Sequence, residues 1–212
     1  NLPTRTQAGE AAGLTTEDTE GTETHGDESE QRAQTLNNLK DLMLGLHNYA
    51  DVKKHLPPVA NFDANGKPLL SWRVHILPFL GEEEAQLYNE FHRDEQWDSE
   101  HNKQLIARMP KVYKNPRLDE QGVTNYLAVV GEECVFTGTP QGITFAQVRD
   151  GMSRTIALVE ANAELAVPWT KPQDWGVDRE NATAGLGSLW EEHWYGGWGD
   201  WGGVPGAIRA AG

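Results

Sequence analysis

Residues 33–50 read AQTLNNLKDLMLGLHNYA, and this segment decides the predicted fold of the N-terminal half. Its apolar side chains recur in steps of three and four residues, which predicts a helix with one apolar stripe: Ala33, Leu36, Leu39, Met43, Leu46 and Ala50. Pro57 and Pro58 follow, so the helix must end before them. The stripe packs into the core of the domain or, as an assembly helix, contacts another subunit through Leu36, Leu39, Met43 and Leu46.

The segments after this helix predict short helices first and strands later. Residues 69–80 have a helical apolar face around His75, 82–91 begin with acids, and 98–108 have a capping residue at Asp98 or Ser99. Beyond Pro110, short β-rich runs lie between glycines and prolines, at 111–113, 125–130, 134–137 and 155–161. The predicted fold is therefore α+β, with the N-terminal amphipathic helix packed on an antiparallel sheet and short extra helices.

The two ends of the chain differ in composition from its middle. Residues 1–30 hold eight acids against one base, Arg5, and almost nothing apolar. Such a segment cannot offset its ordering entropy by burial, which predicts a disordered tail, with a docked arm as the alternative. The predicted organisation is an acidic tail at 1–30, a globular domain at 31–188 and a Trp/Gly-rich extension at 189–212.

Four tryptophans lie close together in that extension, at Trp190, Trp194, Trp198 and Trp201. Aromatic rings among glycines can form a sugar-binding platform or a protein interface, since the C–H faces of sugars pack on indole rings. Alternatively, the rings fold back over the sheet as a lid. A carbohydrate- or ligand-binding module built on these four rings is therefore a second hypothesis for the function.

The composition excludes several classes of partner. The 212 residues carry a net charge of −14, so nucleic acid and anionic membrane surfaces would repel the chain. No apolar run reaches the roughly 18 residues that span a bilayer, and no basic-then-apolar signal peptide opens the chain. The single cysteine, Cys134, excludes an intramolecular disulfide framework and a multi-cysteine zinc site.

The densest group of possible metal ligands is the acidic segment with Asp94, Glu95 and Asp98. Calcium takes about six to eight oxygen ligands, so these carboxylates predict a structural calcium ion, with helix-capping or solvated acids as the alternative. The seven histidines show no metal-binding spacing, and Ser153 lacks the second glycine of a nucleophile elbow. We predict no catalytic residue, no enzyme activity and, calcium apart, no cofactor.

A series of ordered phrases resembles a known family. They include NNLK at 37–40, LHNY at 46–49, LPP at 56–58, SWRVHILPFL at 71–80, TNYLAV at 124–129, DGMSRTI at 150–156 and VPWTKP at 167–172. Over about residues 33–188 they resemble the planctomycete family known as domain of unknown function 1559. Members typically begin with a type IV prepilin-like methylation segment, followed by a globular part similar to pilins and pseudopilins.

This chain departs from the family pattern at both ends. An acidic tail stands where members carry the hydrophobic prepilin segment. Members usually end in a signature of His, nine residues and Asp-Gly, whereas nine residues after His193 this chain has Gly203 and Val204.

The resemblance implies a pilin-like fold and a non-enzymatic structural or assembly role. Such a protein is expected to be secreted, periplasmic or on the cell surface, and to act through contacts with protein subunits, either further copies of itself or other proteins. Related major pseudopilins carry a structural calcium, which supports the metal prediction at Asp94, Glu95 and Asp98. A hydrolase that uses acids of the central region ranks last.

Overall fold

The computed structural model describes residues 20–148, 151, 154–178, 180–186 and 207–209, and the side chains of residues 27–186 within those ranges. Its helices are α1 (Glu20–Lys53), α2 (Trp72–His75) and α3 (Glu82–Glu90), with 3-10 turns at Leu77–Phe79, Asn102–Arg108, Lys111–Tyr113, Phe145–Gln147 and Ala163–Leu165. Its strands are β1 (Ala60–Phe62), β2 (Pro68–Ser71), β3 (Val123–Thr124), β4 (Tyr126–Val130), β5 (Ile156–Glu160), β6 (Val167–Pro168), β7 (Trp175–Gly176) and β8 (Ala207–Arg209). The fold is mixed α+β, as the sequence predicts.

Helix α1 buries one stripe in the main hydrophobic core. Leu39, Met43 and Leu46 are buried, which confirms that part of the predicted stripe. They share one hydrophobic cluster with side chains of the sheet: Tyr126 and Ala128 of β4, and Ala157 and Leu158 of β5. The expected packing of the helix stripe against a β layer is therefore present.

The predicted stripe is wrong at Leu36, which is not buried with the other leucines, because 45% of its surface is exposed. At this level α1 contacts the rest of the chain through Thr35 and Asn38. The Tyr126 hydroxyl donates to Thr35 Oγ1 at 3.2 Å and accepts from Asn38 Nδ2 at 3.4 Å. Leu36 lies about 100° around the helix from Thr35, so the chain packed against Thr35 does not cover it.

Helix α1 begins at Glu20, within the segment that the sequence predicts as a disordered tail. The Arg117 guanidinium contacts this part of the helix, donating to Gln31 Oε1 at 3.3 Å and to Glu28 Oε1 at 3.2 Å. From Glu20 onward the acidic segment is therefore helical, and a basic side chain contacts it. For residues 1–19, which lie outside the described residues, the tail stays a prediction.

The described strands form three small sheets. Strand β1 pairs antiparallel with β2, and β3 antiparallel with β6. The third sheet has the order β7-β4-β5-β8, in which β7 runs parallel to β4 and the other pairs are antiparallel. This one parallel pair departs from the wholly antiparallel sheet that we predicted.

Successive residues of β4 face opposite sides of the sheet, as in any strand. Tyr126 and Ala128 join the main core with α1, whereas Leu127 and Val129 join a second cluster with Val159 and Trp175. The sheet thus has apolar packing on both faces, which explains why β4 reads as a nearly continuous apolar run.

Two predicted strands are wrong. Residues 111–113 form a 3-10 turn that buries Tyr113, whose hydroxyl donates to the Arg73 carbonyl at 2.8 Å. Residues 134–137 form only an isolated bridge between Phe136 and Val130. Residues 69–80 were expected to form one helical face. Instead they comprise the end of β2, the single turn α2 and a 3-10 turn. The Ser71 side chain accepts from Arg73 N and so caps the start of α2. The predicted helix at 82–91 and the strands near 125–130 and 155–161 are confirmed.

A buried ion pair joins α2 to the segment before β7. Arg73 NH2 lies 2.7 Å from Asp174 Oδ1, and both side chains are almost fully buried. The guanidinium has an acceptor for each of its five N–H groups: Tyr126 O, Ser71 Oγ, Lys171 O, Gln173 O and Asp174 Oδ1. Asp174 also accepts from Trp72 Nε1 at 3.0 Å and Ala128 N at 2.8 Å. Burial raises the pKa of the Asp174 carboxyl, an effect that Arg73 opposes most strongly.

Candidate functional site

The outer face of α1 exposes large apolar side chains. Leu44 is 59% exposed and Val52 is 64% exposed. Together with Asn48 and Asp51 they occupy positions i, i+4, i+7 and i+8, which lie on one face of a helix. Among the described residues, the only other exposed large hydrophobic side chains are Leu36, also on α1, and Leu165. Helix α1 therefore has an apolar inner stripe in the core and apolar side chains on its outer face.

A groove of about 530 Å³ lies beside the C-terminal part of this outer face. Its lining comprises Asn48, Asp51 and Val52 from α1, and Pro78, Phe79, Leu80 and Gly81 from the turn before α3. We call this groove, together with Leu44, the α1 docking surface. Its apolar parts come from both elements, so their relative position determines its shape.

Gly45 brings these two elements together. A Cβ atom at this position would lie 2.6 Å from Leu80 Cδ2, so the absence of a side chain lets Leu80 pack directly on the helix backbone. On the neighbouring turn, the rings of Tyr49 and Phe79 meet edge to face with centroids 5.3 Å apart. The wall formed by residues 78–81 is thereby held against α1.

Carboxylates flank the groove. The Asp51 side chain is exposed in the last turn of α1, and the Glu84 carboxylate lies over Gly81, where a Cβ would contact it. Lys54 Nζ donates to the carbonyl oxygen of Asp51 at 2.7 Å and not to its carboxylate. The surface therefore combines apolar walls with two acidic groups and one nearby ammonium group.

Lys54, directly after α1, has a φ of +67°, a left-handed conformation that usually favours glycine. Its backbone N–H donates to the Ala50 carbonyl at 2.8 Å, which closes the helix in the manner of a C-terminal cap. The helix thus ends before Pro57 and Pro58, as predicted, and its last turn forms one side of the groove.

A second cavity, of about 820 Å³, lies beside the turn that follows β4. Its polar lining includes Glu132, Glu133, Gln147 and Thr155. The Gln147 side chain accepts from Thr144 N in a capping box, and Thr155 Oγ1 donates to the Gly151 carbonyl at 3.1 Å. These two polar groups already bond within local turns, so the α1 docking surface is the stronger candidate.

His75, around which we predicted a helical face, is largely buried and bonded. Its Nε2 lies 3.0 Å from Asn61 Oδ1, and its ring meets Tyr88 edge to face. Asn61 Oδ1 also accepts from Leu70 N, while Asn61 Nδ2 donates to the Arg93 carbonyl. Burial, with a smaller contribution from the Arg93 charge, lowers the pKa of His75 to about 4. The imidazole is therefore neutral near pH 7, donates from Nε2 and has a structural role.

The acids of the predicted calcium site lie in the loop between α3 and the turn at Asn102–Arg108. Asp94 and Asp98 are exposed, while Glu95 Oε1 lies 3.0 Å from His92 Nδ1. Hydrogen bonds from Ser99 and His92 lower the pKa of Glu95. Within the described part of the chain, no three His, Cys, Asp or Glu side chains are arranged to hold a metal ion. Calcium at Asp94, Glu95 and Asp98 stays a prediction.

The other predicted site residues divide between the core and the undescribed part of the chain. Leu39, Met43 and Leu46 lie in the core, so of the predicted assembly helix only Leu36 is exposed. Trp190, Trp194, Trp198 and Trp201 lie outside the described residues. The sequence analysis did not predict Leu44 and Val52 as site residues. The available signal was that both are apolar but lie outside the apolar stripe of the helix.

No helix among the described residues is both long enough and apolar enough to cross a bilayer. A search of curated proteins and a search of solved structures each found no match. A family model described as "Protein of unknown function (DUF1559)" matches residues 28–116 and 112–212, which together cover most of the chain. The chain therefore belongs to the DUF1559 family.

Proposed function

We propose that this chain is a non-enzymatic structural or assembly protein, pilin-like and located in the cell envelope or outside the cell, that acts through protein–protein contacts. One observation carries the proposal: of the four exposed large hydrophobic side chains among the described residues, three lie on α1. Leu36, Leu44 and Val52 are those three; Leu44 and Val52 lie on the outer face beside the groove at Asp51, and Leu36 lies about four turns before Val52.

The energetics support a contact at this surface. Fully covering a Leu or Val side chain stabilises an association by about 1.5–3 kcal/mol. Leu44 and Val52 are each more than half exposed, so a partner that covers both gains roughly half of that for each side chain. Exposed apolar side chains grouped beside a groove are typical of protein interaction sites.

The length of α1 adds a second argument. It runs from Glu20 to Lys53, which corresponds to about 50 Å at 1.5 Å per residue. The buried part of the helix begins only at Thr35, and before it Glu28 and Gln31 contact Arg117. The exposed side of the helix is therefore long enough to contact a neighbouring subunit over several turns.

Site-specific photo-crosslinking in the source organism tests the proposal. A photoreactive phenylalanine analogue replaces Leu44 in one variant and Val52 in another. The matched control carries the analogue at Glu120, an exposed position in a distant loop. We expect crosslinked adducts of higher mass from positions 44 and 52, of one defined size, and none from position 120.

The identity of the adduct does not affect this test, because either a second copy or another protein supports an assembly role. If positions 44 and 52 give no adduct while the variants accumulate normally, the surface contacts no protein and the proposed function is wrong. Equal labelling at all three positions would show random collision and would also refute it.

A further inference from the structure

We infer that the partner at the α1 docking surface is a different protein, which inserts an apolar side chain into the groove and places a lysine or arginine next to it. This inference rests on the proposed function and specifies the chemistry of the partner. It depends on the position of two carboxylates, those of Asp51 and Glu84.

Asp51 stands where a carboxylate is unfavourable for the helix. It lies two residues before the end of α1, where the helix dipole places partial negative charge. Among the described residues no hydrogen bond or ion pair reaches its carboxylate, since Lys54 binds only its carbonyl oxygen. Lys53 in the same turn and Lys54 directly after it are the nearest basic residues in sequence, but Asp51 is the one charged residue that lines the groove. A cation supplied by a partner would compensate this charge.

Glu84 places a second carboxylate at the same groove. Its carboxylate lies beside Gly81, which is one of the residues that line the groove. Glu82 and Glu83 precede it in the first turn of α3, so this edge of the groove is acidic. The same groove is lined by the apolar side chains of Val52, Phe79 and Leu80. An apolar side chain flanked by a cation matches this arrangement.

A second copy of the chain matches it less well. Each copy carries a net charge of −14, and a symmetric contact would bring one Asp51 and Glu84 pair toward the other. Like charges across an interface oppose association, whereas a basic partner gains from the same groups. Charge complementarity therefore favours a basic partner.

Two synthetic amphipathic helical peptides test the inference directly. Both carry the same central leucine pair, which is flanked by lysines in one peptide and by glutamates in the other. Fluorescence anisotropy measures their binding to the full chain, and amide chemical shifts locate it. We expect the lysine peptide to bind, to shift amides at 44–54 and 78–84, and to lose affinity as salt rises from about 0.05 to 0.3 M, since salt screens exposed charges.

Matched variants separate this site from general attraction to an acidic chain. Asp51→Lys should weaken binding of the lysine peptide about fivefold, the effect of replacing one exposed attraction with a repulsion. Glu120→Lys makes the same change of net charge in a distant loop and should weaken it less than twofold. Val52→Ser removes part of the apolar surface and should weaken the binding of both peptides.

Three results would overturn the inference. They are equal binding of the glutamate peptide, equal effects of Asp51→Lys and Glu120→Lys, and the absence of lysine-peptide binding at 44–54. A dimer of this chain that Val52→Ser dissociates would also overturn it, because the partner would then be a second copy. That last outcome leaves the proposed function intact, whereas an absence of crosslinks at positions 44 and 52 removes both.

Discussion

The buried pair Arg73–Asp174 yields the largest expected change in stability. Asp174→Asn keeps the shape of the side chain and an Oδ1 atom that still accepts from both Trp72 Nε1 and Ala128 N. It removes the charge that Arg73 NH2 contacts at 2.7 Å. The guanidinium, which is 0% exposed, is then left as a buried cation without a counter-charge.

Removing one partner of a buried pair costs about 3–5 kcal/mol, because the remaining charge stays in a poorly solvated site. Four carbonyl and hydroxyl acceptors still contact the Arg73 guanidinium, which favours the lower end of that range. We therefore expect Asp174→Asn to lower the free energy of unfolding by about 3 kcal/mol. The double variant Arg73→Met/Asp174→Leu should lose less than the sum of its single variants, since neither charge remains buried.

Urea unfolding at pH 7, followed by tryptophan fluorescence, measures these changes, because Trp72 and Trp169 are fully buried and report loss of the core. Glu90→Gln is the control, as it breaks the exposed Arg108–Glu90 pair and should move the urea midpoint little. If Asp174→Asn shifts the midpoint no more than Glu90→Gln does, the ion pair does not stabilise the fold and the reasoning fails.

Three smaller effects follow from single residues. Because the unfolded chain protonates His75 near pH 6.5 and the folded chain only near pH 4, stability should fall by up to about 3 kcal/mol as pH decreases through this range. Urea unfolding across that range should show His75→Gln to be less sensitive to pH, and an unchanged slope would contradict the assignment. Lys54→Gly should stabilise the chain by about 0.5–1 kcal/mol, because glycine adopts the φ of +67° without strain, and a lower urea midpoint would contradict this. Asp51→Asn should raise the thermal midpoint, by an amount that shrinks with added salt, since it removes a carboxylate from the negative end of the helix dipole; a salt-independent change would exclude that cause.

Local periodicity predicts the elements whose burial pattern repeats along the chain. The stripe at Leu39, Met43 and Leu46 repeats over about two turns and is buried, and the β-rich runs near 126–130 and 156–160 are strands. In these segments the spacing of apolar side chains is enough to predict the element, since a helix repeats every 3.6 residues and a strand every two. The α+β class follows because helical spacing comes first along the chain and strand-like segments come later.

Long-range contacts decide the parts that the sequence does not predict. Arg73 and Asp174 are 101 residues apart, and neither residue by itself indicates a buried pair. Tyr113 was predicted in a strand because valine and tyrosine favour strands, but its hydroxyl bonds the Arg73 carbonyl and its ring stacks on Trp169. Leu36 follows the helical period and is nevertheless exposed, since a stripe does not show where the covering chain ends.

The two faces of α1 are under different physical demands. Leu42 and Leu46 are fully buried and stabilise the fold, whereas Leu44, between them, is 59% exposed and buries much less surface in it. Gly45 connects the two faces, because it admits Leu80 against the helix and so forms one wall of the groove. A helix required only for the core would have no need of apolar side chains at Leu44 and Val52, or of a carboxylate at Asp51. Under the proposed function, all three residues on the outer face serve contact with a partner, while the inner face serves the fold.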